Sequence, residues 1–343
     1  MESSGKKLHG SPEQSMSYHE HPAFEPIVHQ CEVMKRICSM TFSYARMDMP
    51  VLITGETGTG KELIARAIHE VSNRADQPFV VVDCAALPET LLGNELFGHE
   101  RGAYTGADKK QPGLFAAANK GTVFLDEIGE LHLTAQAALL RVLQDGSYRP
   151  YGSVRLMSTD VRIIAATNRD LEEASVRRTF RLDLFHRIRS AVLQMPPLRS
   201  RTADIPLLVR HFMRKLAPPG GQPLEVSPMA MSRLLGHPWE GNVRELENRI
   251  RSAIALASNG RLTVEDIFPE RAEPGDGNGG LPSLRSVRTS LSKDTEGQYL
   301  ERILRKTNGN VSEAARIAGV HRTHLYNLMR QYEIDPADYR LAY

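Results

Sequence analysis

The sequence has no apolar run long enough to span a bilayer, and its N-terminus lacks the basic-then-apolar order of a signal peptide. It has three cysteines, and the spacing of Cys31, Cys38 and Cys84 fits neither a metal site nor an even-numbered disulfide framework. The formal net charge of +2 is small, so any contact with nucleic acid must come from a local basic patch. These absences exclude membrane-spanning and disulfide-rich secreted classes. For 343 residues we expect a soluble, cytoplasmic protein of two or three domains.

The stretch from Val51 to His69 joins an apolar run, a glycine-rich turn and a segment with helical periodicity. Glycines in such a turn let backbone N–H groups face phosphate oxygens, the following helix adds its positive end, and Lys61 supplies a cation. An ordinary glycine-rich turn is the alternative, and Glu62 stands where the generic motif has Ser or Thr. The pattern predicts a phosphate-binding P-loop formed by Gly55, Glu56, Thr57, Gly58, Thr59, Gly60, Lys61 and Glu62.

Short β-rich runs then alternate with helical segments, which predicts an α/β fold with a parallel sheet covered by helices. We expect strands at residues 51–54, 79–82, 123–126, 161–165 and 192–195. Nucleotide sites in such sheets lie at the carboxyl ends of the strands. Asp126 and Glu127 end one apolar strand, an arrangement that can hold Mg²⁺ through Asp126 and orient a water through Glu127. The alternative is a strand that merely reaches solvent.

Three further side chains are candidates for contact with phosphate. Asn168 follows the strand at 161–165, where a polar group could reach a γ-phosphate. Arg181 and Arg187 could stabilise a transferring phosphoryl group, and on the outer surface they would serve a neighbouring subunit. Intramolecular ion pairs to Asp183 or Asp170 are the alternative for these arginines.

Hydrophobic periodicity and Gly/Pro density divide the chain into five parts. The parts are a disordered tail (1–23), an α/β subdomain (24–196), an all-helical lid (197–269), a flexible linker (270–290) and a helical domain (291–343).

Two further predictions concern single segments of these parts. Phe24 to Met47 is predicted as a helix leading into the first strand. Arg244, near a helix start in the lid, could also reach phosphate.

The last domain reads as a helix-turn-helix in which Ser312 can cap a first helix and a second begins near Arg322. Residues 300–332 hold six Arg or Lys against two Glu, a local excess of +4. A helical hairpin with a solvated basic face is the alternative. The side chains predicted to contact DNA are Arg322, Thr323, His324, Tyr326, Asn327 and Arg330.

The segment 95–107 (ELFGHERGAYTGA) resembles the loop of the bacterial enhancer-binding proteins, the AAA+ activators of sigma-54 RNA polymerase. The resemblance extends over nearly the whole chain from Pro26, through GETGTGKE, the Asp126–Glu127 pair, FRLDLFHR, PWEGNVREL and a Fis-type helix-turn-helix. It implies an AAA+ α/β fold with a helical lid, ATP and Mg²⁺ as cofactors, and upstream DNA as a partner.

The same resemblance implies a ring, usually a hexamer, in which hydrolysis between subunits drives a loop against sigma-54. Lys61 would bind phosphate, Asp126 would bind Mg²⁺, Glu127 would activate water, and the two arginines would act in trans. Glu62 is also what this family has after the lysine. The residues expected to contact sigma-54 are Gly102, Ala103, Tyr104, Thr105, Gly106 and Ala107.

Several positions depart from the family pattern. Asp83 replaces the common Asn that restrains the catalytic glutamate, Lys120 replaces a glycine, and Ala116 and Pro150 replace a Glu and an Arg thought to pair in relatives. No receiver or sensor domain is expected before the ATPase. A DNA-binding regulator whose AAA+ core only oligomerises is therefore an alternative, and a replication-initiator type protein is a third.

Overall fold

The computed structural model describes residues 17–86, 88–103, 109–217, 224–256, 260–269, 300–301, 303–307, 309–318, 325–326, 328–329, 334 and 339. The chain forms two compact units, residues 1–269 and residues 270–343. Within the described residues, no helix is both long and apolar enough to traverse a bilayer.

The strands of the first unit are β1 (Val51–Thr54), β2 (Phe79–Asp83), β3 (Gly98–His99), β4 (Gln111–Pro112), β5 (Thr122–Asp126), β6 (Ser147–Tyr148), β7 (Met157–Ser158), β8 (Arg162–Thr167), β9 (Ala191–Gln194), β10 (Glu225–Val226) and β11 (Arg261–Leu262). Five of them form a parallel sheet with the strand order β2-β5-β8-β1-β9, and the others form two-stranded pairs. The predicted parallel sheet is confirmed, with strand ends within two residues of those expected. Every residue of β8 is buried, because helices cover both faces of a parallel sheet.

In the described part of the chain, eleven α-helices of the first unit and one of the second have defined bounds. They are α1 (Glu32–Ala45), α2 (Lys61–Val71), α3 (Glu89–Phe97), α4 (Leu114–Ala117), α5 (Leu133–Asp145), α6 (Leu171–Val176), α7 (Leu182–Ile188), α8 (Ile205–Leu216), α9 (Pro228–Leu235), α10 (Asn242–Leu256), α11 (Val264–Ile267) and α12 (Val311–Ala318). One core lies between the sheet and α3, α5 and α7, and a second lies between the sheet and α1 and α2.

Two predictions about the N-terminal segment are wrong. Residues 17–23 are not a disordered tail, since they form two short 3-10 turns that bury Tyr18 and Ala23 in the second core. Residues 1–16 of that predicted tail lie outside the described residues. The helix expected from Phe24 begins only at Glu32, because the Asp204 carboxylate accepts the backbone N–H groups of Gln30 and Cys31 (2.7 and 2.8 Å), and Cys31 is extended.

The part predicted as the lid has its own hydrophobic core, centred on the fully buried Trp239 and built from α8, α9, α10 and α11. It is not all-helical, because β10 and β11 form a short parallel pair beside these helices. This correction reflects the length of the pair: two residues in each strand are too few to produce an alternating pattern.

In the second unit, α12 packs against Leu300, Ile303 and Leu304. Its N-terminus is capped by Asn310, whose Oδ1 accepts the N–H groups of Ser312 and Glu313 (3.1 and 3.3 Å), so the predicted cap at Ser312 is wrong. The predicted start of the second helix near Arg322 and the linker 270–290 both fall outside the described residues.

Candidate functional site

The glycine-rich turn lies between β1 and α2, at the carboxyl edge of the sheet. Gly60 has φ +100°, and a Cβ placed on it would meet nothing within 4 Å, so the turn faces open space at this residue. The Lys61 side chain is 6% exposed, and its Nζ donates to the carbonyl oxygens of Gly55 (3.0 Å) and Glu56 (3.5 Å). This geometry is a cradle with an inward cation, as phosphate binding requires.

The carboxylates lie beside this lysine because β5, β8 and β1 are adjacent parallel strands that end at one edge. Lys61 Nζ is 3.2 Å from Glu127 Oε1. The other Glu127 oxygen accepts the backbone N–H of Asn168 (3.0 Å), whose amide group donates to Thr57 Oγ1 (3.0 Å). The structure thus brings together four residues that the sequence placed on three separate segments.

Asp126 and Asp83 end neighbouring strands in register. Burial, and then the negative charge of Glu127, raise the pKa of Asp126 above its ordinary value, and Lys61 opposes this effect only in part. The Asp83 carboxylate accepts the N–H of Ala85 through Oδ1 (2.9 Å). The carboxylates of Asp83, Asp126 and Glu127 make this edge of the sheet negatively charged, which suits a bound cation that prefers oxygen ligands.

A cavity of 990 Å³ opens over the cradle. Its lining includes the glycine-rich turn, Asp83, Asp126, Asn168, Pro26 and Arg244. The volume is at the upper end of the range of small-molecule sites, and Lys61, Asp126 and Glu127 are among the residues that line the cavity. The residues therefore fit a nucleotide with its phosphates on the turn.

Two acidic residues of the predicted phosphate-binding turn form ion pairs with arginines. Glu62 pairs with Arg66 across one helical turn (2.7 Å), and Glu56 pairs with Arg199 of the segment after β9, where Arg199 Nη1 is 2.8 Å from Glu56 Oε2. Hydrogen bonding to Arg199, and then to Asn242, lowers the pKa of Glu56 to about 2.

Arg181 and Arg187 are away from this cradle. Arg181 makes a two-point ion pair with Asp183 (3.0 and 2.7 Å), the intramolecular alternative that the sequence left open. Arg187 donates to the carbonyl oxygen of Leu143 through Nε (3.3 Å) and Nη2 (3.1 Å). Neither guanidinium is among the described side chains that line the cavity.

The sequence reasoning missed a set of contacts that ties the lid to the turn. Asn242 is fully buried with φ +53°; its Oδ1 accepts the N–H of Leu198 (2.7 Å), and its Nδ2 donates to the carbonyl of Thr57 and the carboxylate of Glu56 (both 3.1 Å). Arg201, also buried, donates to the carbonyl of Thr59 (2.8 Å). The one available signal was the Gly241–Asn242 pair at the start of α10, since Asn tolerates the left-handed region.

The predicted partner-binding residues are described only in part. Gly102 and Ala103 follow β3, which pairs antiparallel with β4, whereas residues 104–107 lie outside the described part. In the second unit, Tyr326 is 44% exposed; the other predicted DNA contacts, at 322, 323, 324, 327 and 330, are also outside it.

Comparison with known families covers most of the chain. Residues 27–194 match the Sigma-54 interaction domain, residues 199–279 the AAA+ ATPase lid domain, and residues 293–332 the Bacterial regulatory protein, Fis family.

Curated relatives and a solved structure agree with these matches. The chain is 44% identical over 317 residues to the transcriptional regulatory protein GlrR of Escherichia coli (strain K12), covering 92% of this chain and 70% of GlrR. It is 44% identical over 309 residues to the regulatory protein AtoC of the same strain, covering 89% and 67%. The crystal structure of NtrX from Brucella abortus in complex with ADP superposes with a TM-score of 0.68 at 32% identity, covering 90% of this chain and 70% of NtrX. The chain belongs to the family of sigma-54-dependent transcriptional activators, which combine an AAA+ ATP-binding domain with a Fis-type helix-turn-helix domain.

Proposed function

We propose that this protein is an ATP-dependent transcription activator that binds upstream DNA in the bacterial cytoplasm. As a ring, it would use ATP hydrolysis to remodel closed complexes of sigma-54 RNA polymerase. The observation that carries the proposal is the cluster of Lys61, Asp126 and Glu127 at the carboxyl edge of the sheet, with Lys61 Nζ 3.2 Å from Glu127 Oε1. A module that served only for oligomerisation would have no use for a buried cation beside two carboxylates.

The backbone from Gly55 to Gly60 and the Lys61 amine would hold the phosphates, and Arg244 would contact them from the lid. Asp126 would hold Mg²⁺, which when bound neutralises charge that develops on the phosphates. Among the described residues, no group of three or more His, Cys, Asp or Glu side chains could hold a metal alone. Mg²⁺ therefore would share its ligands with the nucleotide and water, as it does in many ATPases.

Glu127 would orient the attacking water and accept its proton. The Asn168 N–H fixes one carboxylate oxygen, and Lys61 holds the other. Asp83, one strand away, adds negative charge that keeps the edge selective for a cation. Asn168 also links Glu127 to Thr57 of the turn, so the water-orienting group and the phosphate cradle move together.

Arg181 and Arg187 would act in trans. Arg181 has 40% of its side chain exposed, and its partner Asp183 lies two residues away, so a neighbouring subunit can reach it at the outer surface. An arginine supplied in this way contributes ~10³-fold or more to the rate of phosphoryl transfer. A ring, hexameric by analogy with the family, follows from this requirement, because each site would be incomplete without its neighbour.

Gly102 to Ala107 would contact sigma-54, with Tyr104 as the aromatic anchor. Residues Arg322, Thr323, His324, Tyr326, Asn327 and Arg330 would contact DNA phosphates and base edges.

In vitro transcription with sigma-54 holoenzyme tests the proposal. Open complexes are expected with ATP and not with a non-hydrolysable analogue, and Lys61→Ala should abolish both hydrolysis and opening. Opening without hydrolysis would refute the motor function. DNA binding and ring formation without opening would favour the regulator whose core only oligomerises.

A mixing experiment tests the ring. Arg181→Ala and Glu127→Ala subunits should each be inactive alone and regain part of the ATPase activity when combined, because mixed interfaces contain one intact site. Absence of rescue at every mixing ratio would contradict action in trans.

A further inference from the structure

Gly93 lies in the interior of α3, where a glycine costs about 1 kcal/mol relative to alanine. Its backbone is not in the left-handed region, so the conformation does not require glycine. The reason is space: a Cβ there would overlap the phenol ring of Tyr151, with Cζ at 2.9 Å, Cε2 at 3.0 Å and the hydroxyl oxygen nearer still. The missing side chain of Gly93 forms a recess that receives this ring.

The backbone of Tyr151 is fixed on a different element. Its N–H donates to the carbonyl of Gly98 (2.9 Å), and its carbonyl accepts the N–H of Glu100 (3.0 Å). Residue 151 thereby adds a third strand position beside β3, on the side away from β4. We call residues 98–103 the stem, because they lead into the predicted sigma-54 contact.

The next residue extends the contact along the stem. A Cβ on Gly152 would lie 2.8 Å from Ala103 Cβ, so the backbone at residues 151–152 runs closely beside the stem as far as Ala103.

Two helices connect this point to the nucleotide edge. β2 ends at Asp83, the following residue donates its N–H to the Asp126 carbonyl (3.0 Å), and α3 then leads directly into the stem. On the other side, Glu127 is followed by α5, which leads into β6 and then to Tyr151. The two connections start at the adjacent strands β2 and β5, and they come together where the Tyr151 ring enters the Gly93 recess.

We propose that Tyr151 is a positioning residue that clamps the stem to α3. Its ring in the Gly93 recess and its backbone bonds to Gly98 and Glu100 make α3, α5 and the stem move as one body, so that a change at the carboxylate edge reaches the sigma-54 contact. This inference rests on the proposed function, and it assigns a role to a residue pair outside the nucleotide cavity.

Limited proteolysis tests the clamp without polymerase. Arg101 is an exposed trypsin site within the stem. Gly93→Ala should displace the ring and speed cleavage after Arg101 by about tenfold, and Tyr151→Val, which introduces no clash, should speed it too. In the double variant, Gly93→Ala should add nothing to the effect of Tyr151→Val. The matched control is Gly236→Ala, because a Cβ at Gly236 meets only Ser232 O at 3.7 Å.

Coupling is tested with the same variants in an ATPase assay and a sigma-54 pull-down with a transition-state analogue. Gly93→Ala should retain hydrolysis within about twofold and lose sigma-54 binding about tenfold. Unchanged cleavage in Gly93→Ala and Tyr151→Val, or faster cleavage with full sigma-54 binding, would overturn the inference. Failure of the proposed function can be distinguished from failure of the clamp, since the wild-type protein itself would then show no hydrolysis-dependent opening of promoter complexes.

Discussion

Replacing Asn242 should destabilise the lid more than the loss of any single contact made by an exposed residue. Asn242→Ala leaves the buried N–H of Leu198 without its acceptor, a loss of about 1–3 kcal/mol. It also removes the donors to Thr57 O and Glu56 Oε2, about 1 kcal/mol each at most. Alanine at φ +53° adds about 1 kcal/mol of left-handed strain. Together these terms predict a loss of about 4 kcal/mol in the free energy of unfolding.

The protein provides a natural probe for this measurement. Trp239 is its single tryptophan and is fully buried in the lid core, so its fluorescence reports unfolding of the lid. At an m-value of about 2 kcal/mol per M, the loss lowers the urea midpoint by about 2 M.

Asn242→Gly is the matched control for backbone strain. Glycine removes the same hydrogen bonds but accepts the left-handed conformation, so it should be less destabilising than alanine by about 1 kcal/mol, or about 0.5 M in midpoint. Equal midpoints for the two variants would refute the strain argument. A shift below about 0.5 M in both would show that the Asn242 contacts do not hold the lid to the turn.

Three further predictions use other features of the first unit. Lys120 has φ +71°, so Lys120→Gly should raise the urea midpoint by about 0.3–0.5 M through relief of about 0.5–1 kcal/mol of strain, and a lower midpoint would contradict this. Hydrogen bonding to Arg199 lowers the pKa of Glu56 to about 2 from its ordinary value of 4.5, so the stabilisation is complete above pH about 4.5 and is lost as the pH falls towards 2. The difference in unfolding midpoint between wild type and Glu56→Gln should shrink across that window, and a constant difference would argue against the pair. Burial raises the pKa of Cys38 to about 12, so iodoacetamide at pH 8 should modify the half-buried Cys31 first and Cys38 only after unfolding, as peptide mass spectrometry would show; equal labelling in the folded protein would refute this.

The sequence by itself determined the elements whose signals are local. The five sheet strands, the glycine-rich turn and the carboxylates at the end of β5 are each contained in fewer than ten consecutive residues. Because parallel strands that alternate with helices bring their carboxyl ends to one edge, even the meeting of Lys61 with Glu127 followed from these local patterns.

Only the tertiary structure decided the contacts between distant segments. Asn242 is 186 residues from Glu56. Tyr151 contacts Gly93, which precedes it by 58 residues (151 − 93). No periodicity within any of these segments specifies its partner. The sequence could not decide whether Arg181 pairs with Asp183 or projects from the surface without that pair. A spacing of two residues permits the ion pair but does not require it. Local spacing determines which side of a helix or strand a residue occupies. The packing of the lid and of the short strand pairs against the sheet determines which distant residues that side contacts.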